Sequence, residues 1–329
     1  MSKVLDGKIA VVTGSGQGIG RAIALAFAEQ GAKVVTNNRK PGISAASMVT
    51  DEQVDKLSAE RKEWYKKGFE EQSGDAEKTA REIRDRGGEA TPVYADITKV
   101  EDAKRLIDTT VETYGRIDIL CNVAGGFGFS DIEDTTVEQW DHVNSVKPRG
   151  FFFTLKYAIP YMREQKYGRI MLCASPAFNG SPLKQAAYCA ANAAVLGLTR
   201  AAALECFHDG ITVNCFAPAA HTRASYELEA ARDSYEKGIL VEGRSFMSAE
   251  ETPGPEYVAP FIVYLASEKS ASINGTVFMV AGNRIGMYAD PTFDKVLVKE
   301  AKEPWSVEEL FEKVETEIIP GYKSSASYI

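Results

Sequence analysis

The sequence is poor in the residues that build metal centres and disulfide frameworks. Its three histidines, at 142, 208 and 221, fall in no ligand spacing. Its five cysteines (Cys121, Cys173, Cys189, Cys206 and Cys215) form an odd, scattered set without a C-x-x-C pair. Neither a disulfide scaffold nor a cysteine zinc site is expected, and the default address is cytoplasmic. Positive charge is not in excess either. Lys and Arg number 38 against 46 Asp and Glu, a net charge of -8, which argues against nucleic acid or an anionic membrane as partner. No uninterrupted apolar run approaches the ~18 residues of a spanning helix. The opening stretch from Met1 to Gly7 carries no apolar signal core. Internal repeats and low-complexity tracts are absent as well. What remains is a chain of 329 residues, 44% apolar and 10% aromatic, with the composition and length to bury a full core.

Hydrophobic patterning alternates between short apolar runs and amphipathic stretches. Strands are expected at 8–12, 33–36, 90–95, 116–121, 169–173, 211–215 and 276–280, with helices at 19–30, 77–86, 101–114, 186–208 and 255–266. A long helix is expected over 137–165, disturbed near Pro148. Strand-helix alternation requires crossover connections, hence a parallel sheet covered on both faces. Two stretches break the rhythm. Residues 41–74 separate the second strand from its helix, with 51–65 reading as a short helix of their own; they are either surface decoration or a lid or interface segment. Residues 283–329 follow the last strand, and Trp305-Ser306-Val307-Glu308-Glu309-Leu310 reads as a capped helix start. The expected organisation is one domain over 1–282, carrying the 41–74 insertion, and a C-terminal extension over 283–329.

Thr13-Gly14-Ser15-Gly16-Gln17-Gly18-Ile19-Gly20 lies between the first strand and the first helix. Glycines tighten such a turn and let backbone approach a pyrophosphate, whose charge the free N–H groups of the helix start favour. In this strand-turn-helix context the pattern points to a dinucleotide.

The chain here resembles the short-chain dehydrogenase/reductase family. The glycine turn fits that family's T-G-x-x-x-G-x-G, and Asp96, followed by Ile97, fits the acid that contacts adenine. Asn122-Val123-Ala124-Gly125 fits its N-x-A-G, and Ser175 and Tyr188 stand thirteen residues apart like its catalytic pair. Asn214-Cys215-Phe216-Ala217-Pro218 followed by Thr222 fits the segment that receives the nicotinamide amide. The resemblance spans about residues 7–282 outside the insertion. It implies a Rossmann-like, doubly wound, seven-stranded parallel α/β sheet and hydride transfer between NAD(P) and an alcohol or carbonyl. It also implies a cofactor site formed by Gly14, Ser15, Gln17, Gly18, Ile19, Gly20, Asn38, Arg39, Asp96, Ile97, Asn122, Ala124, Gly125, Pro218 and Thr222.

Two positions depart from the family. Tyr-x-x-x-Lys is replaced by Tyr188-Cys189-Ala190-Ala191-Asn192. The family's catalytic Asn, seven residues after a Trp and three before a Gly, is replaced by Lys147; Asn144 stands three residues short of it. A phenol is a poor base at neutral pH unless a nearby cation stabilises the phenolate. The pattern reads as an exchange of the two residues that keeps one ammonium near Tyr188. Tyr188 is then the general acid or base, Ser175 polarises the substrate oxygen, and Lys147 and Asn192 complete the site. The competing reading is a cofactor-binding but catalytically degenerate subunit that stabilises an active partner. Lys184 is a weaker candidate for the cation. Cys173 and Cys189 flank the site in sequence and read as small buried thiols.

Asn38 occupies the position at the end of the second strand where an Asp or Glu selects NAD, and Arg39 follows, which favours NADP, with NAD as the alternative. The substrate is a small-molecule alcohol or carbonyl, with an acyl-CoA thioester as one option because some acyl-CoA-directed relatives carry C-terminal extensions. Residues 224–252 form the family's variable substrate loop, with Tyr226, Tyr235, Phe246 and Met247 as its aromatic and apolar content. Pairing through the helices at 137–165 and 186–208 implies a homodimer or homotetramer.

Overall fold

The computed structural model describes residues 3–42, 49–235, 238, 252–300 and 303–321. Phe246, Met247 and most of 236–251 lie outside the described residues, as do 43–48 of the insertion. The chain forms two compact units, Met1–Tyr288 and Ala289–Ile329.

In the first unit β1 (Ile9–Thr13) leads into α1 (Gly18–Glu29) and β2 (Lys33–Asn38). The insertion contributes α2 (Asp51–Asp55) and α3 (Ala59–Glu71), after which α4 (Ala76–Asp85) and β3 (Ala90–Tyr94) resume the alternation. There follow α5 (Val100–Tyr114), β4 (Ile119–Asn122), α6 (Val137–Asn144), α7 (Phe151–Gln165), β5 (Gly168–Cys173) and α8 (Ala186–Glu205). The unit closes with β6 (Ile211–Ala219), α9 (Arg223–Ser234), α10 (Ala259–Ala266), β7 (Val277–Ala281) and β8 (Arg284–Met287).

The strands form one sheet in the order β3-β2-β1-β4-β5-β6-β7-β8. Every residue of β1 and β5 is buried, as expected of inner parallel strands covered on both faces. One apolar layer gathers Ile23, Phe27, Phe216 and Ile262 beneath α1 and α10. The opposite layer gathers Leu106, Ile107, Leu155 and Val195 beneath α5, α7 and α8. This is the doubly wound α/β fold. Strand order reverses between β1 and β4, so a crevice opens at their carboxyl ends.

Three features differ from the sequence reading. The sheet has eight strands rather than seven: β8 pairs antiparallel with β7, placing Phe278 opposite Met287 and Ala281 opposite Arg284. Gly282, at φ +53°, and Asn283 make the two-residue turn, a hairpin signal that the alternation of strands and helices does not carry. The long helix at 137–165 is broken, with Lys147 in extended backbone (φ -122°, ψ 128°) between α6 and α7. The proline that follows disfavours helical geometry in the residue before it, so the disturbance expected near Pro148 falls on Lys147. The insertion holds two capped helices rather than one: Thr50 caps α2 and Ser58 caps α3 through their side-chain oxygens.

The insertion is packed rather than decorative. The Trp64 and Tyr226 rings lie 4.6 Å apart, tying α3 to α9. Arg61 reaches Glu229 at 3.0 Å and Asp233 at 2.9 Å on the same helix. Gly68 is required at the crossing, because a β-carbon there would lie 2.0 Å from the Tyr226 ring. Tyr65, Leu57, Ala230 and Ala231 bury a third, smaller apolar cluster between the insertion and α9.

With 20 residues, α8 has the length and hydropathy of a spanning helix, but it packs on β6 and buries Val195, Leu196, Ala202 and Ala203 as a sheet-covering helix does. In the second unit, Ser306 Oγ accepts from Glu309 N and Glu309 in turn accepts from Ser306 N, starting α11 (Val307–Lys313) at the expected capping box.

Candidate active site

The crevice is a cavity of about 750 Å³ lined by the residues that follow β1, β2, β4, β5 and β6. Its floor is the glycine turn. Gly14 sits at φ +67° with Ala124 backbone 2.8 Å from the site of any β-carbon, and a β-carbon on Gly20 would lie 2.3 Å from Gly14 O. Both glycines are therefore required by packing, and Gly14 by conformation as well. Gln17 stands at the N-cap of α1 without a side-chain capping bond, so the first N–H groups of the helix stay available to an anion. Its Oε1 is buried and has no hydrogen-bond partner among the described residues. A cradle that side chains would fill, a set of N–H groups and an orphaned polar atom together fit a dinucleotide.

At one end of the cavity, Asn38 is buried at the tip of β2 and Arg39 follows it, exposed; both line the wall. The acid beside the glycine turn, Asp75, does not line it. Burial works to raise the Asp75 carboxyl, but bonds from Lys78 N, Gly42 N and the Tyr94 hydroxyl outweigh it and hold the group below its usual value. Asp96 lines the cavity and accepts from Thr98 Oγ1 at 2.8 Å, which fixes its carboxylate.

At the other end, Ser175, Tyr188 and Lys147 line one wall. Ser175 Oγ accepts from Ala177 N at 3.2 Å, which orients the oxygen and leaves its proton to donate. Lys147, only 4% exposed, donates from Nζ to Asn192 Oδ1 at 3.4 Å. Asn192 donates from Nδ2 to the Tyr188 carbonyl oxygen at 2.7 Å. The break in the helix brings the lysine here: extended backbone at 147 separates its direction from the helical faces on either side. Its charge is felt nearby. Burial pushes the Cys173 thiol up, and the Lys147 ammonium pulls it partly back. Burial drives Cys215 up to about 12 against the same ammonium. Lys184 is engaged elsewhere, paired with Asp131 at 3.0 Å, and does not line the cavity.

Three of the expected site residues stand behind the wall rather than on it. Ser15 is fully buried, and its Oγ accepts from Asn37 N at 2.9 Å, tying the glycine turn to β2. Asn122 accepts from Thr13 Oγ1 at 3.2 Å and donates to Thr154 Oγ1 at 2.8 Å, joining β4 to α7. Asn192 is fully buried and touches the wall from behind, through Lys147 Nζ and the Tyr188 carbonyl. Asn144 donates back to Trp140 O within its own helix. The wall also includes residues that the sequence reading did not assign to it, among them Phe127, His142, Arg223 and Glu227. Arg223 and Glu227 form an i,i+4 pair on α9, a spacing visible in the sequence but lost in what reads as a variable loop.

A model described as short chain dehydrogenase matches residues 8–60, and one described as enoyl-(acyl carrier protein) reductase matches 66–282. The mouse (Mus musculus) peroxisomal multifunctional enzyme type 2 is 35% identical over 284 residues, covering 85% of this chain and 32% of the mouse protein. A hydroxynaphthalene reductase-like protein of Metarhizium robertsii is 30% identical over 293 residues, covering 85% of this chain and 96% of the fungal protein. The chain thus spans about a third of the mouse enzyme's length and nearly all of the fungal protein's. The crystal structure of a short chain dehydrogenase from Mycobacterium avium, 29% identical, superposes with a TM-score of 0.72 over 95% of this chain and 94% of that one.

Proposed function

The chain belongs to the short-chain dehydrogenase/reductase family of NAD(P)-dependent enzymes, and we propose that it interconverts a secondary alcohol and a ketone with NADP(H). The bound dinucleotide supplies or accepts the hydride. Ser175 holds the substrate oxygen, and Tyr188 gives its phenolic proton to that oxygen in reduction or takes it in oxidation. Lys147 provides the positive charge that stabilises the phenolate, in place of the lysine that the family carries where this chain has Asn192. The observation that carries this reading is the 3.4 Å contact between Lys147 Nζ and Asn192 Oδ1, which joins the two departures from the family pattern in one buried pair beside Tyr188. A degenerate subunit would have no reason to keep an ammonium buried at this point, since a buried charge is costly.

Asn38 and Arg39 at the tip of β2, with Asp75 turned away, support NADP over NAD. Phe127, whose ring lies 5.9 Å from that of Tyr188, and Leu183 and Leu228, which also line the cavity, support a carbonyl with apolar bulk, either an aromatic ketone or the acyl chain of a thioester. All five cysteines are free and four are buried, which suits a reducing compartment such as the cytoplasm.

The function is tested by following NADPH oxidation with a panel of aromatic ketones and 3-oxoacyl thioesters. We expect turnover in the unmodified protein, a loss of about 10²–10⁴-fold in Tyr188→Phe, and retained cofactor binding in that variant. No turnover of any carbonyl or alcohol, with either cofactor, would count for the degenerate reading.

Val137, Trp140 and Phe152 are exposed on α6 and α7, and Leu204 and Phe207 are exposed at the end of α8. Apolar side chains on these helices support pairing through them. Light scattering at micromolar concentration is expected to return a dimer or tetramer; a monomeric mass would contradict it.

A further inference from the structure

Among the described residues, none of 41–74 lines the cavity. Three residues that do line it, Phe127, Leu183 and Leu228, pack from behind against the third apolar cluster. The insertion supplies Val49, Leu57 and Tyr65 to the buried part of that cluster, and the loop after β4 supplies Phe129. The insertion therefore stands one layer behind the substrate end of the cavity. Packed interiors yield little, so residues buried at this depth fix whatever rests on them.

The layer in between is aromatic. The Phe129 ring, 5% exposed, meets Tyr235 edge to face at 6.2 Å and 81°. Phe127 meets Phe129 in the same manner at 5.7 Å and 80°. Phe127 in turn lies 5.9 Å from the ring of Tyr188, at 59°. These are the separations and tilts that aromatic pairs prefer, so each ring restrains the next. The backbone of the same loop is stapled to the approach of α8, the helix that carries Tyr188. Ser130 N donates to Lys184 O at 3.0 Å, and Lys184 Nζ pairs with Asp131 at 3.0 Å. Phe127 is thus held on its buried side by the cluster and along the chain by the staple, and its free side belongs to the cavity.

We propose that the insertion fixes the substrate wall: Val49, Leu57 and Tyr65 support Phe129, Phe129 sets Phe127 beside Tyr188, and Phe127 receives the aromatic substituent of an aryl ketone. Phe127 determines specificity, and Phe129 and the insertion residues are positioning residues. This rests on the reading of Tyr188 as the proton donor to a carbonyl, and it chooses the aryl ketone over the acyl thioester. A ring on that carbonyl would extend the series of edge-to-face contacts by one member, which a saturated group of the same size cannot do.

The test follows NADPH oxidation by the full chain with a matched pair, acetophenone and cyclohexyl methyl ketone. The unmodified protein is expected to favour acetophenone in kcat/KM. Phe127→Leu, which keeps apolar bulk but removes the ring, is expected to reduce that preference about three- to tenfold, the range of one ring–ring contact. Phe127→Tyr, which keeps the ring, retains most of it. Leu57→Ala opens space in the cluster, far along the chain from the site. It is expected to raise KM for acetophenone severalfold, with kcat within about twofold and NADPH affinity by calorimetry unchanged. Leu57→Met, which refills the space, recovers the KM. Tyr65→Leu serves in its place if Leu57→Ala fails to fold. Equal preference for the two ketones in the unmodified protein would overturn the aryl assignment. An unchanged KM in a folded Leu57→Ala or Tyr65→Leu, or a loss confined to NADPH affinity, would remove the insertion from the substrate wall while the oxidoreductase reading stands. If the unmodified protein reduces no ketone at all, the oxidoreductase reading fails and this assignment falls with it.

Discussion

Replacing Lys147 with alanine is expected to lower turnover by about two to four orders of magnitude with the fold intact, and to move the rate–pH profile of alcohol oxidation to higher pH. The lysine supplies the ammonium beside Ser175 and Tyr188 on the wall, with the buried amide of Asn192 behind it. An opposite charge within hydrogen-bond range typically favours an ionised group by ~1–3 pK units. Without that charge a phenol keeps its proton to higher pH, so the oxidation rate rises later along the pH axis. The Coulomb attraction at ~4 Å would be several kcal/mol at an intermediate dielectric, and desolvation of the buried ammonium reduces it, so the smaller figure applies. Asn192→Ala is expected to be milder. It removes the acceptor that holds Lys147 Nζ and the donor to the Tyr188 carbonyl, but no charge. The double exchange Lys147→Asn with Asn192→Lys restores the family arrangement and is expected to retain more activity than Lys147→Ala. Unchanged turnover of a confirmed substrate by Lys147→Ala would remove the relocated lysine from the mechanism.

Gly18→Val is expected to weaken NADP(H) binding at least a hundredfold in calorimetric titration. Gly18 sits at φ +52°, a region that a β-branched residue adopts only with strain. An added β-carbon would also press on Thr222 Cγ2 at 3.3 Å. Relief of either strain moves the first N–H groups of α1 away from the phosphate position, so binding suffers more than stability. Gly18→Ala is expected to show a smaller loss of the same kind. Undiminished binding by the valine variant would separate the glycine turn from the cofactor.

Much of this architecture follows from local pattern. The buried runs of β1 and β5, the glycine stops and the helical faces are readable because each obeys one period along the chain. The contact between Lys147 and Asn192 is different in kind: the two are 45 positions apart, and only the family pattern brings them together before the structure is known. The helix α9 was hidden because its composition, Arg223-Ala224-Ser225-Tyr226-Glu227, resembles a polar loop. Its buried side faces the insertion, and no local period reports a partner more than 150 residues away, such as Arg61 for Glu229. Ser15 and Asn122 illustrate the opposite error. Motif membership places a residue near a site, whereas its hydrogen bonds decide whether it faces the ligand or braces the wall.

The hairpin through Gly282 also decides how this sheet ends. Without it, β7 would be an open rim, with the apolar side chains of Val277, Phe278 and Val280 beside a row of unsatisfied amides, a ready template for another chain. β8 satisfies that rim and becomes the new one, but it is four residues long, begins with a charged Arg284 and contains Gly286. A strand so short offers an intruding chain little to pair with. The sheet therefore carries its own guard against edge-to-edge aggregation, in the stretch of chain just before the second unit begins.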